Sequence, residues 1–516
     1  MNQSSKKLIM KIVLLVTLSV GMFLYLYTPA SLNPCNTSYF TPESGDPYQH
    51  YSGWVFFRND AWHFPLGHMN NCFYPQGTSV VFTDSIPLLA IPFKALKHIL
   101  PETFQYFGLW QLLCFILQGV FGLLLLAQIT ENTALQLIGA GLFTLCPTYL
   151  SRFFLHEALA AHWLLLWAIL INVRKIQKDY SLEWLSLLTI SIMVHPYLFL
   201  MAFFLYISWI ITFCYQQKDL QSIKNGVFIC LWIILIWYIQ GGLVISPNEY
   251  SPKGNYNQTS FITTLNLLSF WDSIGFSKIV YFKTSSNLKD FFFPGIGSTI
   301  LLTIGFILFL TKPLFSWKRA ALIGSCLLLA VVTNGAKVSF GSFLLWDIPL
   351  STSIIDLLNV FRWTNRFLWP GMYVALYFSM VLLYRRLQTK YIVLFLSCLL
   401  FLQIYDIAPI VHRQWKHLFK KINYAEPQAI ATTQKYIIYQ ELPSSKSILP
   451  FQYIQSFALI NRLKTNVMYI SRGIEAYQIP QTSFEESIYA YDYPVATPSG
   501  MNKVYQYKHV YFYYKE

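Results

Sequence analysis

The chain has 516 residues, 55% of them hydrophobic and only 12% charged, with a mean hydropathy of +0.43. That balance excludes an ordinary soluble domain and places the chain in a bilayer. The net charge of +14 would suit nucleic acid if it were gathered in one patch. The Lys and Arg residues are instead spread through the connections between apolar runs, where they act as topology signals.

Residues 1–28 join a basic front, Lys6, Lys7 and Lys11, to an apolar run of about 17 to 20 residues, long enough to cross about 30 Å of hydrocarbon. They are read as an uncleaved transmembrane anchor. Residues 29–103 form a polar first loop that opens with the block ESGDPYQHYSGWVFFR at 43–58 and continues through WHFPLG and FTDSIPL. Its apolar piece at 86–100 is interrupted by Pro87 and Pro92 and carries Lys94 and Lys97, so it is expected to lie in the interface and not to span.

Further spans are expected near 104–128, 134–150, 155–173, 181–194, 197–215, 226–245, 297–311, 319–335, 368–384 and 391–408, making a multi-pass domain over 104–408. Four basic connections fall on one side if these spans alternate: Arg174, Lys175 and Lys178; Lys218 and Lys224; Lys312, Lys318 and Arg319; Arg385, Arg386 and Lys390. The N-terminal lysines join that side only if 86–100 does not cross. The positive-inside rule then gives about eleven transmembrane helices, with the N-terminus cytoplasmic and the C-terminus outside. Residues 409–516 change to mixed polar and aromatic sequence with period-two runs at 465–471 and 504–515, read as a small outer α/β or β-rich domain. The fold class is thus an all-α polytopic membrane protein carrying that C-terminal domain.

Six of the eight cysteines, Cys114, Cys146, Cys214, Cys230, Cys326 and Cys398, lie in apolar spans and read as small buried hydrophobes. Cys35 and Cys72 share the first outer loop and are the disulfide candidates, set against two unpaired thiols. No CxxC, HExxH or GxxxxGK signature occurs. Ionisable residues do collect at the outer ends of spans: Asp46, His50 and Arg58 after the anchor; Arg152, His156, Glu157 and His162 in SRFFLHEALAAHW; His195 in MVHPY; Arg362 and Arg366 in NVFRWTNRFLWP. Each alone fits an interfacial anchor or a packing partner, and Asp46 after Gly45 fits turn chemistry. Together they converge on one face of the bilayer, where charge is costly unless it pairs or lines a wet cavity.

The order of these features resembles the GT-C superfamily of glycosyltransferases. GDPYQHYSGWVFFR, WHFPLG, FTDSIPL, LWQLLCFILQG, SRFFLHEALAAHW, HPY and FRWTNRFLWP resemble a bacterial multi-pass branch of it over residues 46 to about 406. The resemblance implies an inner-membrane enzyme that moves a sugar from a polyprenyl phosphate donor to an envelope glycan, lipid or protein acceptor on the periplasmic side. It gives Asp46 the role of general base toward the acceptor hydroxyl. A developing phosphate charge needs cationic partners, for which Arg58, Arg152, Arg362 and Arg366 are candidates, with His50, His156, Glu157 and His195 as further substrate contacts. Metal-dependent members carry acidic pairs where this chain has His156-Glu157, so Mg2+ or Mn2+ held with Asp46 is a candidate cofactor and catalysis by basic residues alone is the other option. A flippase or exporter of lipid-linked sugars, and a non-catalytic envelope scaffold, are the alternative functions.

Reporter fusions check the topology. One placed after Tyr180 is expected to report the cytoplasm and one at the C-terminus the periplasm; a cytoplasmic C-terminus overturns the parity.

Overall fold

The computed structural model describes residues 3–174, 179–217, 221–244, 265–280, 292–311, 317–334, 337–349, 351, 364–415, 426–430, 432–439, 449–468, 486–491, 493–498 and 501–515. The chain is mostly helical. It begins with α1 (Gln3–Leu26), and the first loop then folds as α2 (Asp46–Asn59), a two-stranded ribbon of β1 (His68–Met69) and β2 (Thr78–Ser79), and α3 (Pro87–Ala95). The bundle continues with α4 (Phe107–Leu126), α5 (Thr133–Thr144), α6 (Pro147–Leu150), α7 (Trp163–Val173), α8 (Ser181–Val194), α9 (Pro196–Gln217) and α10 (Gln221–Ile239). After β3 (Leu265–Asn266) come α11 (Ile296–Thr311), α12 (Trp317–Asn334), the strands β4 (Lys337–Phe340) and β5 (Phe343–Asp347), then α13 (Trp369–Tyr384) and α14 (Thr389–Trp415).

Among the described residues, five helical stretches are long and apolar enough to cross a bilayer: Lys6–Leu26, Phe107–Leu126, Pro196–Gln217, Asn365–Tyr384 and Thr389–Arg413. The chain is accordingly a membrane protein. That is fewer than the eleven spans expected, because the other six apolar segments fold as helices of 10–17 residues. The 12 residues of α5 reach about 18 Å at 1.5 Å per residue, short of a hydrocarbon core. The cause at 134–150 is local. Pro147 disfavours a helical Cys146, whose ψ of 121° ends α5 and restarts the chain in α6. Residues 86–100 hold only the nine residues of α3, too few to span. At the other extreme α14 runs on through Pro409 to Trp415, past the 408/409 boundary.

The helix ends sort into two sets. At one, Gln403 on α14 donates to Leu145 O at 2.8 Å, Thr148 on α6 to Phe293 O at 3.0 Å before α11, and Gln240 after α10 to Ile192 O of α8 at 3.1 Å. At the other, Lys11 on α1 donates to Glu131 O at 3.1 Å, Arg174 pairs with Glu183 at 2.8 Å, and Arg386 donates to Leu308 O at 2.8 Å. Backbone ends in a membrane need partners inside the protein, and polar side chains supply them.

The first loop lies on the first of these ends, held by an argininyl clasp. Arg58 in the last turn of α2 donates to four carbonyls that follow α3: Lys97, Leu100, Pro101 and Glu102, at 2.6–3.1 Å. Its guanidinium is therefore spent on the loop's own backbone, which corrects its place among the substrate contacts. The disulfide is also corrected. Cys35 and Cys72 are both free, the first exposed and the second buried. Cys72 sits where the loop pairs with Thr465, so backbone pairing ties the loop down: Thr465 N–H donates to Asn71 O and Tyr74 N–H to Thr465 O, both at 3.0 Å.

The C-terminal part makes a five-stranded sheet. Its members are β6 (Tyr436–Tyr439), β7 (Lys464–Thr465), β8 (Ser487–Tyr491), β9 (Lys503–Tyr507) and β10 (Val510–Tyr514), in the order β7-β6-β8-β10-β9, with α15 (Leu449–Ile460) between β6 and β7. β6 runs parallel to both of its neighbours, and β8, β10 and β9 are antiparallel. The run expected at 504–515 is two strands, a hairpin whose turn places Lys508 at φ 58°; residues 469–471 of the other run lie outside the described residues. α15 packs on α2, with Tyr453 OH 3.2 Å from Glu43 and Gln455 Nε2 3.5 Å from Ser52 Oγ.

Replacing Arg58 by Ala strands four carbonyls and is expected to cost about 2–4 kcal/mol. Arg58→Lys should recover little, since one ammonium cannot span all four. Thermal unfolding of the detergent-solubilised protein measures both, and an unshifted midpoint in Arg58→Ala removes the clasp.

Candidate functional site

The spacing D-P-Y-Q-H places Asp46 and His50 one turn apart on the same face of α2, and Gly53 continues that face. Gly45, at φ +74°, turns the chain into the helix so that Asp46 is its first residue. A carboxylate there is favoured by the helix dipole. The turn expected around Asp46 is thus a helix start, steadied by Gln452 of α15, whose amide is 3.4 Å from Gly45 O.

Opposite this face runs a tight turn over 83–86. Asp84 and Ile86 both adopt φ 55°, an unfavourable region for a β-branched residue such as Ile86, and strain of this kind costs about 1–3 kcal/mol. Neighbouring contacts hold it. Ser85 Oγ donates to His50 O at 2.7 Å, Thr83 Oγ1 and Ser85 Oγ are 2.7 Å apart, and Tyr106 OH bonds Ser85 O. The turn aims Asp84 at a set of polar side chains. Its Oδ2 accepts from Gln49 Nε2 at 3.2 Å and lies 3.8 Å from His156 Nε2, while its Oδ1 lies 3.5 Å from His195 Nε2. His195 Nδ1 accepts the Tyr197 backbone N–H at 3.1 Å, which puts the proton of the neutral ring on Nε2, facing Asp84.

The segment 151–157 supplies the third wall. Phe154, at φ 54°, is fixed by its N–H to Gln111 Oε1 at 3.0 Å and by Tyr39 OH on its carbonyl. That presents Arg152, His156 and Glu157 to the site. Glu157 is fully buried and pairs with His50 Nδ1, while its own carbonyl accepts from Trp110 Nε1 at 3.0 Å. The His50 and His156 rings are 4.9 Å apart and the His156 and His195 rings 5.2 Å. His50 Nε2, His156 Nδ1 and Glu157 Oε1 are buried without hydrogen-bond partners among the described residues.

Two cations border the cluster without an ion pair among the described residues. Arg152 bonds only the adjacent Ser151 Oγ, at 3.0 and 3.2 Å, and lies 5.9 Å from the Trp369 ring. Arg366, in the short 3-10 turn before α13, lies 5.1 Å from the Tyr197 ring. Asp46 faces both. Burial raises its carboxyl above the usual range, helped by Asp84 and Glu157 and opposed by His50 and Arg366. Burial lowers the His50 pKa, but the Glu157 carboxylate outweighs it and the net direction is upward. Asp46 makes no hydrogen bond or ion pair among the described residues.

Of the residues expected at the site, Asp46, His50, Arg152, His156, Glu157, His195 and Arg366 come together. Arg58 does not, and Arg362 lies outside the described residues. Glu157 is engaged by His50 through one of its oxygens. Sequence reading missed Asp84 and Gln49. The signal for Asp84 was its place in Thr83-Asp84-Ser85, immediately before the proline-started α3.

Gly53 permits the close approach of α2 to this turn. A Cβ there would fall 2.3 Å from Thr83 Cβ and 2.8 Å from Ser85 Oγ. Gly53→Ala must push α2 off the turn and is expected to cost about 1–3 kcal/mol, read as a lower unfolding midpoint; a wild-type midpoint would show that the approach is not tight.

Among curated proteins none matches this chain. Residues 16–408, well over half of the chain, match the family described as domain of unknown function DUF6311. The match takes in every residue of the buried cluster and stops before the C-terminal sheet. The chain belongs to the DUF6311 family.

Proposed function

We propose that the chain is a glycosyltransferase of the bacterial inner membrane that moves a sugar from a polyprenyl-phosphate-linked donor to a cell-envelope glycan or another periplasmic acceptor. In this reading Asp46 is the general base and Arg152 and Arg366 receive the phosphate. The observation that supports it is one open carboxylate beside two guanidinium groups that have no ion-pair partner among the described residues, at the bundle end where the first loop and the C-terminal sheet lie. A positioned carboxylate takes the proton of an acceptor hydroxyl as it attacks the anomeric carbon, and its raised pKa makes it a stronger base. Guanidinium forks match phosphate oxygens in two places and stabilise the charge left on the departing lipid phosphate. His195 and Gln49 act at one remove, by fixing Asp84.

Membrane placement follows the same reading. The six shorter apolar helices occupy the positions of the remaining expected spans, and their ends join the two sets made by the five long ones. All eleven would then cross or line the bilayer, with the site on the periplasmic face and the lysine-bearing ends in the cytoplasm.

Purified protein supplied with polyprenyl phosphate sugars and envelope glycans should release polyprenyl phosphate, and Asp46→Asn should lower that rate by at least a hundredfold with binding of the donor retained. The acid limb of kcat/KM should lie above the ordinary Asp value of about 3.9, because the base works only when deprotonated and its pKa is raised. Undiminished turnover by Asp46→Asn removes the base assignment. A wild type that moves lipid-linked sugar across vesicles without breaking its phosphate bond would establish a flippase instead.

A further inference from the structure

We propose that His50, Asp84 and His156 form a site for a divalent transition-metal ion of the zinc type, with Glu157 as the outer partner that orients His50. This goes beyond the sugar-transfer reading and does not depend on it.

The three residues come from separate segments, α2, the 83–86 turn and the 151–157 segment. One ligand atom from each lies within 4.8 Å of the other two, and all three residues are buried. Zinc bonds to imidazole and carboxylate run about 2.0–2.2 Å, which sets donor separations near 3.5 Å, so the side chains need to close by only about 1 Å. The hydrogen bonding prepares the ligands for this. Because His50 Nδ1 faces the Glu157 carboxylate, the ring proton is held there and the Nε2 lone pair is left free. A carboxylate behind a histidine is the usual outer shell of a metal-bound imidazole. Gln49 and His195 hold Asp84 in the same way.

A purely structural ion-pair network accounts for the His50 contact to Glu157 and leaves the other side of the ring unexplained. His50 Nε2 is buried without a partner among the described residues, and an unmet buried polar group costs about 1–3 kcal/mol. A cation meets that lone pair. Two imidazoles and one carboxylate favour zinc, cobalt or iron(II) over Mg2+ and Ca2+, which prefer oxygen ligands throughout. Three protein ligands leave one position of a tetrahedral ion open. The charge also fits an anionic ligand. Three carboxylates, Asp46, Asp84 and Glu157, face two guanidinium groups, Arg152 and Arg366, and a divalent ion turns that small negative excess positive.

The test uses the full-length protein in detergent, stripped with a chelator and reloaded with Zn2+ or Co2+ alone. Metal analysis should give one equivalent per chain, retained against excess Mg2+, with a visible Co2+ spectrum of low coordination number. His50→Gln and His156→Gln should each weaken binding at least a hundredfold. Should either fail to fold, Glu157→Gln keeps an acceptor for His50 and should weaken binding about 10–100-fold. No stoichiometric binding by the wild type, or unchanged affinity in the variants that fold, overturns the site. Neither result requires a sugar donor, so loss of the transferase reading would leave the metal reading to stand or fall separately.

Discussion

Charge buried at the end of a helical bundle must be paired, and the contact between His50 and Glu157 is where this molecule meets that requirement. Both side chains are fully buried, so either one without the other would be an uncompensated group, at a cost of about 3–5 kcal/mol. The pair joins α2, in a loop that crosses nothing, to the segment leading into α7. Once α2 is fixed there, Asp46 one turn earlier is brought over Arg152 and Arg366, and Gln49 and Gly53 meet the turn that carries Asp84. The strained residues at 84 and 86 are tolerable because Ser85 is bonded from two sides. The site's geometry thus depends on a long-range contact between residues far apart in sequence.

Behind the cluster the polar groups continue into the apolar bundle, and there several of them bond one another, although His162 Nε2 and Gln118 Oε1 are buried without a partner among the described residues. His162 Nδ1 meets Tyr373 OH at 2.7 Å, and Gln118 Nε2 reaches the same hydroxyl at 3.2 Å and Phe143 O at 3.3 Å. Trp369 separates this chain from the site, with the His162 ring 4.2 Å away and Arg152 at 5.9 Å. Polar side chains between apolar helices stabilise packing when each finds a partner. Arg152 and Arg366 differ from them in lying beside aromatic rings and near Asp46 without an ion pair among the described residues. A cavity of about 380 Å³ among Asn172, Tyr377, Arg385 and neighbouring residues lies at the opposite helix ends and holds no comparable set of charges.

Much of this could be read from the chain, for identifiable reasons. The i, i+4 relation of Asp46 and His50 is carried by helical spacing alone. The ends of apolar runs located Arg152, His156, Glu157, His195 and Arg366, because a charge beside an apolar run has few places to go. For Asp84 the sequence marks only a turn before a proline-started helix, since its partners His156 and His195 lie far away in the chain. The engagement of Arg58 was not legible, because a guanidinium that clasps carbonyls and one without such partners look the same in sequence. Cys35 and Cys72 share a loop, yet Cys72 is committed to the C-terminal sheet by backbone pairing at Thr465. The shorter helices escaped because hydropathy marks apolar runs without marking where Pro147 breaks one.

The two aspartates of the first loop show how environment divides otherwise equal groups. Asp84 is held by Gln49 and approached by His156 and His195, and its position is set by the turn. Asp46 has no such partner among the described residues, remains partly exposed, and has its pKa raised by burial and by the carboxylates beside it. A carboxylate held from several sides is fixed in position. One that is open, desolvated and flanked by cations can take a proton and release it. The open position of Asp46 beside Arg152 and Arg366 is the physical feature on which its proposed role as a base rests.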